Sequence, residues 1–140
     1  MKRIAIALVA VACVSVMFGC AQKRPKAAKA APALQRIHFD FDKSNIKPEY
    51  EPVLRANAAW MQAHKNTNVT IEGNCDQRGS VEYNLALGDR RAKSAQNYLI
   101  NLGIPASRLS TISYGKERPL CTQMNESCWW QNRRDDFVAH

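Results

Sequence analysis

From Ile37 to Ala139 the apolar residues switch repeatedly between a repeat of two and a repeat of three to four, and few folds accommodate that alternation. Ile37, Phe39 and Phe41 alternate with His38, Asp40 and Asp42, which predicts a half-buried strand. Tyr50, Val53, Leu54, Ala58 and Met61 then share one helical face. Pro48 suits the first turn of that helix, and Pro52 delays its regular part. Val69-Thr70-Ile71 reads as a strand closed by Gly73, and 74–82 as a loop. A long helix runs from about Val81 to Leu102, with Leu85, Ala92, Ala95, Leu99 and Leu102 as its stripe and Gly88 in register. Gly103 and Pro105 end it. Leu109 to Tyr114 is a strand stopped by Gly115, 124–133 a short helix, and Asp136 to Ala139 a last strand. The order β-α-β-α-β-α-β predicts one α/β domain with helices on one face of a small mixed sheet. The chain has 140 residues, enough for one such domain.

The sequence before residue 37 has a different character. Met1-Lys2-Arg3 is a positive start, and Ile4 to Phe18 is an apolar run. That run is short for a bilayer-spanning helix, which needs about 20 residues, and it suits a secretory signal. It ends in Gly19-Cys20, which resembles the bacterial lipobox, where the cysteine is acylated and becomes the first mature residue. The expected organisation is a signal peptide over 1–19, lipidated Cys20 with a linker over 20–36, and a globular domain over 37–140. In enteric-type bacteria the lipobox resemblance implies sorting to the outer membrane. The linker AQKRPKAAKAAPALQR is rich in Ala, Lys and Pro and reaches about 55 Å when extended. The formal net charge of +8 belongs to this N-terminal part. Residues 37–140 carry 13 Lys and Arg against 12 Asp and Glu, which argues against a nucleic-acid-binding face.

Of five cysteines, Cys13 leaves with the signal and Cys20 takes the lipid. Cys121 and Cys128 are the natural disulfide in an oxidising periplasm, and Cys75 is left over. A metal site is the rival reading, but the pair lacks a second set of ligands, and His38, His64 and His140 are scattered. No metal or other cofactor is expected.

FDFDKSNIKPEY (39–50), GNCDQRGSVEYN (73–84), LGDRRA (87–92) and NRRDDFV (132–138) together resemble the OmpA-like C-terminal domain, and specifically its lipoprotein branch. The resemblance covers about 37–140. It implies non-covalent binding of peptidoglycan through meso-diaminopimelate in the peptide stem. It puts an Asp role on Asp76 and an Arg role on Arg91, with Asn84 on the same helix edge and Phe39 and Asp40 lining the groove. The chemistry is sensible, because the free end of diaminopimelate carries an ammonium and a carboxylate on one carbon. An aspartate accepts from the first and a guanidinium forks onto the second. Arg91 is expected beside the apolar stripe rather than on it, so that neither Asp76→Ala nor Arg91→Ala unfolds the domain. Arg133 and Arg134 match a family pair, for which ion pairing with Asp135, Asp136 or Asp89 and ligand contact both stay open. The family's loop usually reads Gly-His-(Thr/Ala)-Asp, whereas this chain has Gly73-Asn74-Cys75-Asp76. Cys75 is expected buried and inert. Of Trp129 and Trp130, one is expected buried and one partly exposed.

By resemblance the partners are peptidoglycan, the outer membrane through the lipid, a TolB-like propeller and, as a further candidate, the periplasmic end of TolA. The implied role is to link outer membrane to cell wall within the Tol system, supporting envelope integrity and cell division. The alternative is a wall-binding lipoprotein of the same family outside that system. A flagellar stator subunit shares the fold, but needs a retained membrane helix with a proton-carrying acid. The run 4–18 holds no Asp or Glu. A wall hydrolase is disfavoured, since Cys75 has no histidine nearby in sequence.

Overall fold

Where the sequence alternates in twos, strands form, and they assemble into one sheet of order β1-β4-β2-β3. The computed structural model describes residues 33–140. The expectations for the signal, Cys20 and most of the linker lie outside those residues. The strands are β1 (Ile37–His38), β2 (Val69–Asn74), β3 (Leu109–Gly115) and β4 (Arg134–Ala139). The helices are α1 (Glu51–Ala63), α2 (Val81–Asn101) and α3 (Glu126–Asn132). β2 and β3 run parallel, joined by the α2 crossover, while β4 pairs antiparallel with both β1 and β2. This is the mixed α/β architecture that the pattern predicts.

One sheet face is dry and the other open. Val69 and Ile71 of β2 are buried, and Thr70 and Glu72 between them are half-exposed. The dry face meets Leu54, Ala58 and Met61 of α1 and Ala92, Ala95 and Leu99 of α2. Leu34 already packs on this core, and Gln35 exchanges hydrogen bonds with the Asn57 side chain at 2.9 and 2.8 Å. Pro48 opens a 3-10 turn, Pro48–Tyr50, and Pro52 falls in the first turn of α1, where its missing N–H leaves no bond unmade. Ser80 caps α2 by accepting from the Tyr83 N–H at 3.1 Å.

The strand expected from Ile37 to Asp42 stops at His38. The Lys43 N–H closes a turn onto the Asp40 carbonyl at 3.2 Å, and Asp42 takes a left-handed φ of 56°. Phe41 is consequently turned out and 56% exposed. Its apolar character serves a contact outside the core, described below. The stripe of α2 also differs from expectation. Leu85 is exposed and Leu102 only half-buried, while Asn84, Leu87, Gly88 and Arg91 join Ala92, Ala95 and Leu99 on the buried side. An arginine thus sits on the inward face of the helix.

Cys121 and Cys128 form the expected disulfide, with Cα atoms 5.3 Å apart. It ties the loop before α3 to the helix itself. Asn132 adds to that clip, accepting from the Leu120 and Cys121 N–H groups and donating to the Cys121 carbonyl at 2.7 Å. Trp129 is half-buried and Trp130 is exposed, so neither tryptophan is a core residue.

Candidate functional site

The end of β2, the loop after it and the first turns of α2 enclose a recess of about 160 Å³. Pockets for whole small molecules measure about 300–1,000 Å³, so this one suits the head of a side chain. Its walls include Phe41, Asp42, Asp76, Arg78, Tyr83 and Arg133. Cys75, Asn84, Leu87 and Arg91 close its back.

Asp76 is 4% exposed, yet it is a charged acceptor among arginines. Arg78 donates to it from Nε at 3.0 Å and from Nη2 at 2.6 Å, and its backbone N–H adds a bond at 3.1 Å. Arg133 Nη1 reaches the second carboxylate oxygen at 3.3 Å. Burial alone would raise the Asp76 pKa. The hydrogen bonds and charge of Arg78, with help from Arg133, outweigh it and hold the carboxyl below its ordinary value. Asp76 therefore stays a carboxylate inside the recess.

Arg91 is fully buried. Its Nε donates to the Lys43 carbonyl at 2.8 Å, Nη1 to the Asn74 carbonyl at 2.9 Å and Nη2 to the Asp40 carbonyl at 3.1 Å. Cys75 Sγ lies 3.5 Å from Nη1, and the Phe39 ring sits under the guanidinium at 5.0 Å. The side chain pins three loop carbonyls to α2. This corrects the expectation that Arg91 lies beside the buried face rather than on it, the ground for expecting Arg91→Ala to leave the domain folded. All three nitrogens of the Arg91 guanidinium thus donate to the chain's own backbone. Behind it, Asp135 is fully buried with neither carboxylate oxygen hydrogen-bonded among the described residues. Burial pushes its pKa well above the ordinary range, against the pull of Arg91.

Asn84 is buried and donates to the Arg78 and Ser80 carbonyls at 2.8 and 2.9 Å, so it fixes the loop that carries Asp76. Phe39 and Asp40 do not line the recess themselves, but their carbonyls accept from Arg133 at 2.9 Å and Arg91 at 3.1 Å, which do. Phe39 is in the core, and the Asp40 carboxylate pairs with Lys47 at 3.0 Å. Phe41 and Asp42, in the turn that ends the strand, line the wall instead. Asp42 accepts from the Tyr83 hydroxyl. Cys75 is buried as expected, and burial pushes its thiol up to about 11. The two terminal arginines divide. Arg133 joins the site, bonding Asp76, Glu126 and the Phe39 carbonyl, while Arg134 pairs with Asp136 at 2.7 Å.

Sequence reasoning missed Arg78. Its guanidinium lies between two aromatic faces, 3.9 Å from the Phe41 ring and 4.0 Å from that of Trp129. The available signal was a loop arginine two residues from the key aspartate. Among the described residues no group of His, Cys, Asp and Glu is placed to hold a metal ion, and no helix is long and apolar enough to cross a membrane.

A mixed four-stranded sheet with helices on one face, presenting a buried carboxylate among arginines at the mouth of a loop, defines an α/β domain of a known kind. The chain belongs to the OmpA family, whose model matches residues 38–129. It is 48% identical over 99 residues to a peptidoglycan-associated lipoprotein of Agrobacterium fabrum, covering 71% of this chain and 56% of that protein. It is 45% identical over 105 residues to one of Pseudomonas putida, covering 75% and 63%. The chain thus spans less than two thirds of the length of these curated relatives. The crystal structure of the peptidoglycan-associated lipoprotein from Burkholderia pseudomallei superposes with a TM-score of 0.73 at 37% identity, over 75% of this chain and 89% of that one. The C-terminal domain of Helicobacter pylori MotB has the same fold, with a TM-score of 0.69 at 19% identity over 77% and 85%.

Proposed function

We propose that this chain is a lipoprotein of the outer membrane that holds peptidoglycan non-covalently, through the diaminopimelate of the peptide stem. The single observation that carries this reading is Asp76, a carboxylate kept ionised inside a recess sized for an amino-acid head. Its relatives are named as peptidoglycan-associated lipoproteins. In the full scheme residues 1–19 are removed, Cys20 carries the lipid, 20–36 form the tether, and the domain from residue 37 binds the wall. The role is attachment, with no catalytic step. The motif resemblance supports a place in the Tol system, with a TolB-like propeller as partner and TolA as a second candidate, and a part in envelope integrity and division.

The ligand's ammonium takes Asp76 as its anion, and the aliphatic stem lies toward Phe41 and Leu87. Asp76→Asn keeps the shape and removes the charge. Wall binding should fall by about tenfold or more, the loss of a charge-assisted hydrogen bond. Pull-down on purified diaminopimelate-type peptidoglycan reads it, with a melting curve as the control for folding. A folded Asp76→Asn that binds as well as the parent would reject the site. Fatty-acid labelling of the parent against Cys20→Ala tests the anchor, and equal label in both would reject it.

A further inference from the structure

We propose that the end of the domain opposite the recess docks on an anionic phospholipid surface, that of the membrane holding Cys20. The inference goes beyond wall binding and rests on the lipoprotein reading. Topology sets the two ends apart. β2 runs from Val69 to Asn74 and delivers Asp76 to the recess, whereas β4 runs back the other way and finishes at Ala139. The chain enters the domain at that second end, where Ala33 and Leu34 lie beside Val138 and Ala139. The stretch from Cys20 to Ala33 reaches about 45 Å when extended, so this end is the one kept close to the lipid, at a high effective concentration.

That end is built without acidic side chains. The turn 64–68 after α1, the segment 102–108 after α2 and His140 meet there. Asn68 and His140 exchange backbone hydrogen bonds at 3.3 and 2.9 Å. Arg108 donates to the Met61, His64 and Thr67 carbonyls at 2.9, 2.7 and 2.6 Å. No Asp or Glu occurs from Pro52 to Ile71, from Arg90 to Lys116, or after Asp136. None precedes Asp40 either, while Lys23, Arg24, Lys26 and Lys29 lie between Cys20 and the domain. Lys65 adds an exposed cation, and Arg108, seated on the last carbonyls of α1, offsets the negative end of that helix. An anionic surface therefore meets cations here and no opposing carboxylate side chain.

An apolar groove of about 300 Å³ opens at the same end, between Leu34, Trp60 and Val138. Trp60 is half-buried and stacks on His64 at 4.0 Å. A tryptophan at the rim of an apolar hollow, close to lysine and arginine, is a composition that settles in a headgroup layer. Docked in this way, the domain turns its recess away from the lipid. The rise of β2 alone separates the two ends by about 17 Å.

The test uses the acylated chain in nanodiscs of phosphatidylethanolamine and phosphatidylglycerol, doped with a gadolinium-chelating lipid that erases nearby amide signals. Signals should be lost at 64–68, at 102–108 and at the Trp60 indole, and kept at Asp76 to Gly79. Lys65→Glu puts an anion at an exposed position and should lower the docking equilibrium about tenfold or more. Replacing phosphatidylglycerol by phosphatidylcholine should restore the same signals. Loss spread evenly over the domain, or no loss, overturns the inference and leaves the lipoprotein reading standing. Docking that survives both changes overturns the anionic surface as the partner. Contacts from residues 21–32 to the Trp60 indole, without signal loss to the lipid, make the tether itself the occupant and also overturn it. A chain that takes no acyl label at Cys20 overturns the lipoprotein reading itself.

Discussion

Arg91→Ala is expected to cost about 3 kcal/mol or more of stability, because it removes a buried cation that three backbone carbonyls and the buried Asp135 depend on. The carbonyls of Asp40, Lys43 and Asn74 lose their donor in a place water does not reach freely. The void lies between the Phe39 ring and Cys75, and Asp135 loses the cation that opposes its desolvation. For a domain of about 100 residues the melting temperature should drop by roughly 12 °C or more. Arg91→Lys should lie in between, since an ammonium keeps the charge and cannot span three carbonyls. A differential scanning measurement checks this, and an Arg91→Ala melting close to the parent would contradict it. A binding loss in Arg91→Ala is therefore no evidence of ligand contact.

The second large effect is expected at Gly73. A Cβ there would lie 2.0 Å from the Gly88 carbonyl oxygen and 2.7 Å from its carbonyl carbon. Both obstacles are backbone, so β2 and α2 would have to separate. Gly73→Ala should cost about 3 kcal/mol, the upper part of the range for forcing atoms into a packed interface. It should also weaken wall binding, since β2 leads directly into Asp76 and α2 carries Asn84. Gly88→Ala should be milder. Its Cβ meets the Ser113 hydroxyl at 2.3 Å, which can rotate away, while the nearest backbone atom is 3.0 Å off. Urea unfolding of the two variants side by side checks the order, and equal midpoints for Gly73→Ala and the parent would contradict the packing account.

Most of the architecture was legible because each element announces its own period. The end of α2 follows from Gly103 and Pro105, and the β2 and β3 strands from two short apolar runs on either side of a long helix. What was not legible has a shared cause, a side chain whose job is set by a distant neighbour. Phe41 continues an apolar alternation, so it reads as strand, yet it leaves the sheet to cover Arg78. Arg91 reads as a surface charge because no periodicity rule places an arginine inward, and only three loop carbonyls converging from 40, 43 and 74 make it possible. Asp76 was found through the motif resemblance, since nothing in its local sequence reveals that Arg133 comes back to it across 57 residues. The split between Arg133 and Arg134 falls at an element boundary, Arg133 closing α3 and Arg134 opening β4.

The central claim is that the recess bordered by the 75–80 loop and α2 takes the amino-acid end of the peptide stem. Amide chemical-shift mapping during titration with a meso-diaminopimelate stem peptide tests it directly. The largest changes are expected at Phe41 and Asp42, at Asp76 to Gly79, and at Tyr83. Shifts confined to the open sheet face around Thr70, Ile112 and Tyr114, with the recess silent, would contradict the account.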